Sequence, residues 1–121
     1  MNKQKLDFAI RIVVSELLQE IRGVRAIVLF GSHATGQARE DCDVDLLVVT
    51  EKEWEDGIEV SHELIDGWTM ELTFIGRATL EADAREGNHF ALSALTYGKA
   101  FYDDGIWQQV QAVRASSGID D

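Results

Sequence analysis

The stretch Trp68-Thr69-Met70-Glu71-Leu72-Thr73-Phe74-Ile75 constrains this chain more than any other. Trp68, Met70, Leu72 and Phe74 alternate with Thr69, Glu71 and Thr73, the period-two pattern of a β-strand with one covered face. A strand of this kind needs neighbours in a sheet and a layer to bury its apolar side. Leu6, Ile10, Val13, Val14, Leu17, Leu18 and Ile21 recur at helical spacing and supply such a layer, and Gly23 stands where that helix would stop. Ala26 to Phe30 is a short, continuously apolar run, read as a central strand buried on both faces. Asp43 to Val49 reads as a further strand.

The rest follows more loosely. Residues 53–65 read as a helix anchored by Trp54, Ile58 and Ile65. Helices are expected near 78–86 and 89–97, a short strand at 100–102, a last helix over 106–115 and a frayed tail over 116–121. The expected architecture is α/β (α+β): a small mixed sheet with helices packed mainly on one face. At 121 residues the chain is expected to form a single domain, 1–121.

Charge narrows the function. Twenty-two acidic residues against 11 basic ones give a net charge of −11, the wrong sign for a groove that neutralises nucleic-acid phosphates. An acidic chain suits a basic partner, a cationic small molecule or a metal-bridged anion. No apolar run approaches a membrane span, and the start of the chain lacks the apolar centre of a signal peptide. One cysteine, Cys42, excludes an intrachain disulfide and suits a reducing cytoplasm.

With Trp68, Met70, Leu72 and Phe74 under the helices, Glu71 emerges on the opposite, open face. The same alternation places Asp43 and Asp45 on that face and Val44, Leu46 and Val48 beneath. Three carboxylates from two strands then converge, and hard oxygen donors of this kind suit Mg²⁺ or Mn²⁺ with substrate phosphates. Gly31-Ser32 directly follows the first strand, where α/β proteins commonly bind ligands. Glycine lets backbone approach a phosphate closely, and the serine hydroxyl adds a donor. No GxxxxGK[ST] loop occurs.

Gly31-Ser32, ten intervening residues and Asp43-x-Asp45 resemble the signature of the nucleotidyltransferase superfamily that includes DNA polymerase beta, most nearly its minimal MNT-type members. Ala34, Gly36 and Ala38 match that family's small-x-Gly-x-Ala pattern, and YGKAFYDDG at 97–105 resembles its closing strand. The resemblance covers about residues 5–105 and implies a palm-like fold. By that resemblance Gly31 and Ser32 hold the nucleotide, Asp43 and Asp45 ligate metal, and Glu71 is the third carboxylate, which helps activate the attacking hydroxyl. The family more often has Asp where Glu71 stands, and Ser where Cys42 stands. The implied reaction is transfer of AMP from ATP, with Mg²⁺ or Mn²⁺, to an acceptor hydroxyl.

Drug-modifying relatives of this core carry a further substrate domain, so another protein or a second copy is expected to supply the acceptor. MNT-type proteins commonly act as antitoxins beside HEPN-like toxins, and a basic toxin of that kind is the expected partner. Two alternatives stand: nucleotide transfer to an aminoglycoside-like small molecule, or a non-catalytic antitoxin that neutralises by contact. His33 is expected to be an exposed loop residue, and His62 and His89 structural or solvated. Arg39 and Lys99 are candidates to offset triphosphate charge but read first as surface residues. The acidic segment 51–67 reads as a solvated helix face.

Overall fold

The computed structural model describes residues 3–39 and 42–118. Helix α1 (Lys3–Glu20) leads into strand β1 (Val24–Phe30), the one-turn helix α2 (Ser32–Thr35) and strand β2 (Val44–Thr50). Strands β3 (Ile58–Ile65) and β4 (Trp68–Gly76) follow, then helices α3 (Arg77–Glu86) and α4 (His89–Tyr97), strand β5 (Lys99–Asp103) and helix α5 (Ile106–Gly118). The five strands form one mixed sheet in the order β3-β4-β2-β1-β5. Only β2 and β4 run parallel; every other pair is antiparallel. The α/β class and mixed sheet are as expected. No described helix is long and apolar enough to cross a membrane.

The alternation of β4 divides the core into two layers. Met70, Leu72 and Phe74 join Val44, Leu46 and Val48 of β2 and Ile27 and Leu29 of β1 beneath α1, which inserts Leu6, Ala9, Ile10, Val13 and Leu17. On the opposite face Ala26, Val28, Leu47, Val49 and Ile75 meet Leu80, Ala84, Ala91, Leu95, Ile106, Trp107 and Val110 from α3, α4 and α5. The continuous apolar runs of β1 and β2 therefore reflect burial on both sides. Three of the helices share one face, and α1 covers the other. The carboxylate-bearing face is accordingly not open along its whole length: α3, α4 and α5 cover it at the far ends of β2 and β4 and leave the near ends, with Asp45 and Glu71, outside that core.

One element differs from expectation. Residues 58–65 form a strand, not the second half of a helix over 53–65. Asp66 and Gly67 both take positive φ, 52° and 85°, the conformation of a two-residue type I′ turn whose twist matches a hairpin. That turn pairs Ile65 with Trp68 and carries the register out to Ile58 and Ile75. The spacing of Trp54, Ile58 and Ile65 suggested a helix, but a non-glycine residue can join Gly67 at positive φ here because it is Asp, and the tight turn then commits both flanks to pairing. Helix α5 also runs to Gly118, into the segment expected to fray; residues 119–121 lie outside the described part.

Candidate active site

The site gathers at one end of the sheet because β1 ends where β2 and β4 begin. Phe30, the last residue of β1, pairs with Asp45. Asp45 pairs with Glu71 across the parallel β2–β4 ladder, and Glu71 pairs with His62 of β3. Cross-strand neighbours share a face, so Phe30, Asp45, Glu71 and His62 form a row across the sheet.

Gly31 turns the chain at the end of β1 with φ 73° and ψ −155°, a region reserved for glycine. A Cβ at this position would also collide with the Asp45 carboxylate. The expected need for glycine thus has a neighbour as its cause, the acidic side chain packed over the turn. Ser32 opens α2, in which the first backbone bonds run from Ala34 and Thr35 to the Gly31 carbonyl, at 3.1 and 3.3 Å.

The Asp45 and Glu71 carboxyl groups face each other across the β2–β4 ladder, near enough to share a proton. Burial first, then the neighbouring Glu71 carboxyl and the charges of Glu71 and Asp43, together push the Asp45 carboxyl from its ordinary 3.8 up to about 6. Every influence on this carboxyl raises its pKa, so among the described residues no cationic side chain offsets its charge. A bond between two carboxyl groups needs a proton, and a bound cation would do the same work with both groups ionised. Asp43 stands exposed just before β2, near enough for its charge to act on Asp45. The structure joins Asp45 and Glu71, with Asp43 at the margin; no group of three side chains arranged to hold a metal ion occurs among the described residues. The donor set fits a hard divalent cation that draws its remaining ligands from a phosphate substrate.

His62 is the residue that sequence reasoning passed over. Its Nε2 lies 3.2 Å from Glu71 Oε1. The Asp66-Gly67 pair was the available signal, because a two-residue turn there puts His62 opposite Glu71 by counting. His33 also differs from expectation. It is buried, its Nε2–H donates to the Cys42 carbonyl at 3.2 Å, and its ring meets Trp68 edge-on at 5.9 Å. It ties the start of the connector to its end, just before Asp43. Arg39 and Lys99 are exposed.

The family model described as Polymerase beta, Nucleotidyltransferase matches residues 13–100, most of the chain. The chain belongs to this nucleotidyltransferase family. An inferred protein adenylyltransferase of Methanocaldococcus jannaschii is 35% identical over 66 residues, which are 54% of this chain and 63% of that protein. Among solved structures, a nucleotidyltransferase-like protein from Exiguobacterium sibiricum superposes with a TM-score of 0.68 at 16% identity, covering 91% of this chain and 38% of the other. A toxin–antitoxin structure with AMP-PNP gives 0.58 at 12% identity, covering 91% and 86%. At these identities the two structures establish the shared fold. Within the nucleotidyltransferase match fall Gly31, Ser32, Asp43, Asp45 and Glu71, and also His62.

Proposed function

We propose that this protein transfers AMP from ATP to a hydroxyl of a partner protein, using Mg²⁺ or Mn²⁺ held by Asp45 and Glu71 with Asp43. The observation that carries the reading is the Asp45–Glu71 pair of facing carboxyl groups set directly beside the Gly31 turn. When bound, the metal offsets charge on the attacking and departing oxygens. Gly31 and Ser32 hold the triphosphate through backbone N–H groups and the serine hydroxyl, close to the carboxylates because any larger residue at 31 would strike Asp45. Glu71, steadied by His62, takes the proton from the acceptor hydroxyl. The acceptor oxygen bonds to the α-phosphorus as the bond to the leaving phosphate breaks, and pyrophosphate departs.

A protein acceptor is favoured by the surface next to Glu71. Ile58, Val60 and Leu64 lie on the His62 side of β3 and are exposed, Leu64 by 72%. Apolar side chains grouped beside a reactive site suit a protein contact, and the net charge of −11 suits a basic partner. The relative named as a protein adenylyltransferase and the toxin–antitoxin neighbour with AMP-PNP support the same choice. A basic, HEPN-like toxin encoded nearby is the partner we infer.

Incubation with labelled ATP, Mg²⁺ and that neighbouring protein tests the proposal. AMP should appear on the partner, and Glu71→Gln should still co-purify with it while failing to label it. Wild-type co-purification without labelling would make the protein a contact-only antitoxin. Labelling of an aminoglycoside without any partner would make it a small-molecule transferase.

A further inference from the structure

A cavity of about 370 Å³ opens beside the phosphate-binding turn, lined by Phe30, Gly31, His89, Phe90 and Ser93. The proposed reaction assigns nothing to this space, though Gly31 belongs to both. Its walls come from two elements: the end of β1 and the first turns of α4. On α4, Phe90 and Ser93 are three residues apart and His89 and Ser93 four, so all three project to one side of the helix. Phe30 and Phe90 meet edge to face, with ring centroids 5.3 Å apart and planes at 90°. Phe90 is still 37% exposed, on a helix whose Ala91, Ala94 and Leu95 are buried.

We propose that this cavity receives the nucleobase of the nucleoside triphosphate, stacked against the Phe30–Phe90 pair, with Ser93 and His89 at its polar edge. The inference rests on the nucleotide-transfer reading, since it places the base beside the turn that holds the phosphates. Three features argue for a base over other occupants. A flat aromatic ring has an exposed π-surface to stack on, which all bases can use. The volume falls in the lower part of the range for small-molecule sites, enough for a base and part of its ribose. The cavity and the carboxylates lie on one face of the sheet, because Phe30 and Asp45 are register partners and Phe30 packs with the layer beneath α4. A single nucleotide can therefore reach both without crossing the sheet.

Comparing ATP with inorganic tripolyphosphate separates the base from the phosphates. Calorimetric titration with Mg²⁺ present should show ATP bound about tenfold to a hundredfold more tightly than tripolyphosphate by the wild type, the range expected for one stacked base. Phe90→Ala should erase most of that preference and leave tripolyphosphate affinity within about twofold. Ser93→Trp, a change at an exposed position that fills the cavity without disturbing the core, should do the same. If both variants keep the wild-type preference, the base lies elsewhere and Phe30–Phe90 is a packing pair or a seat for the acceptor. If the variants weaken ATP and tripolyphosphate equally, the cavity has no role of its own. If the wild type binds neither compound, the phosphate turn itself is misassigned and the cavity inference falls with it.

Discussion

The parallel strands β2 and β4 carry a cluster of acidic groups at each end, and the two clusters are treated in opposite ways. At the far end Glu51 and Glu53 are surrounded by donors. Arg25 bridges Glu51 and Asp104, with its Nε 2.5 Å from the latter, and Arg77 lies 3.5 Å from Glu51. The Glu53 carboxylate accepts from the N–H groups of Ala78 and Thr79, at 2.9 and 3.2 Å, and from the Thr79 hydroxyl at 2.5 Å. It thereby caps α3, whose own N-cap residue, Gly76, has no side chain to do so. Burial raises its pKa, but these bonds and the Arg77 charge outweigh that and hold it below the ordinary value. At the near end Asp45 is raised to about 6 and has a second carboxyl group opposite it. Even the glycines correspond: a Cβ on Gly76 would strike Glu53, as one on Gly31 would strike Asp45. The difference teaches that acidic clusters are not equivalent by composition. At the far end cations and backbone donors meet the charge and serve the fold, whereas at the near end acid faces acid.

The largest expected effect breaks the symmetry of the glycines. Gly31→Val should weaken ATP affinity more than about a hundredfold, on the order of 3 kcal/mol, because positive-φ strain adds to the clash with Asp45. Gly76→Ala should displace only the flexible Glu53 cap and leave ATP binding at the wild-type level. Calorimetry on both proteins measures the contrast, and an equal loss in each would remove the distinction between the two ends.

Next in size is the response of the near end to pH and metal. The folded pKa of Asp45 lies above its unfolded value, so the folded state holds this proton longer. Its ionisation therefore lowers stability progressively as pH rises from about 4 to about 6, and by a constant amount above that. Asp45→Asn should match the wild type near pH 3.5 and exceed it by on the order of 1 kcal/mol at pH 8, allowing for partial exposure of the group. Mg²⁺ or Mn²⁺ should raise the wild-type Tm at pH 8, progressively less below pH 6, and not at all in the variant. Thermal melts across that range read all of these, and a metal shift that survives in Asp45→Asn would locate the ion elsewhere.

Glu53→Ala should have the opposite sign. Loss of the α3 cap should cost about 1 kcal/mol, ~4 °C in Tm, at neutral pH, with no change in the metal-dependent shift. Smallest of all, Arg25→Gln should cost roughly 0.5 kcal/mol and less in high salt, since its ion pairs are partly exposed. Chemical denaturation at two salt concentrations checks it; a loss as large as that of Glu53→Ala would mean that the pair network, not the cap, holds this end.

The placement of the candidate site's acidic side chains was legible because it depends on local pattern. Alternation in β4 fixed the face of Glu71 relative to Met70 and Leu72, and Asp43-x-Asp45 declared its own period. The hairpin was legible in principle at Asp66-Gly67, but weakly spaced anchors at Trp54, Ile58 and Ile65 drew residues 53–65 toward a helix. With that strand misread, His62 had no partner and the edge of the sheet was missing.

By itself the sequence determined the period of β2 and β4, the glycine at 31 and the acidic residues that face one way, since these follow from bonded geometry within a few residues. Only the tertiary structure decided which acids are satisfied. Arg25, Thr79 and the start of α3 come to Glu51 and Glu53 from distant parts of the chain, whereas Asp45 receives Glu71. A carboxyl group's pKa is set by the dielectric and the donors within a few ångströms, and those neighbours exist only once the sheet is assembled.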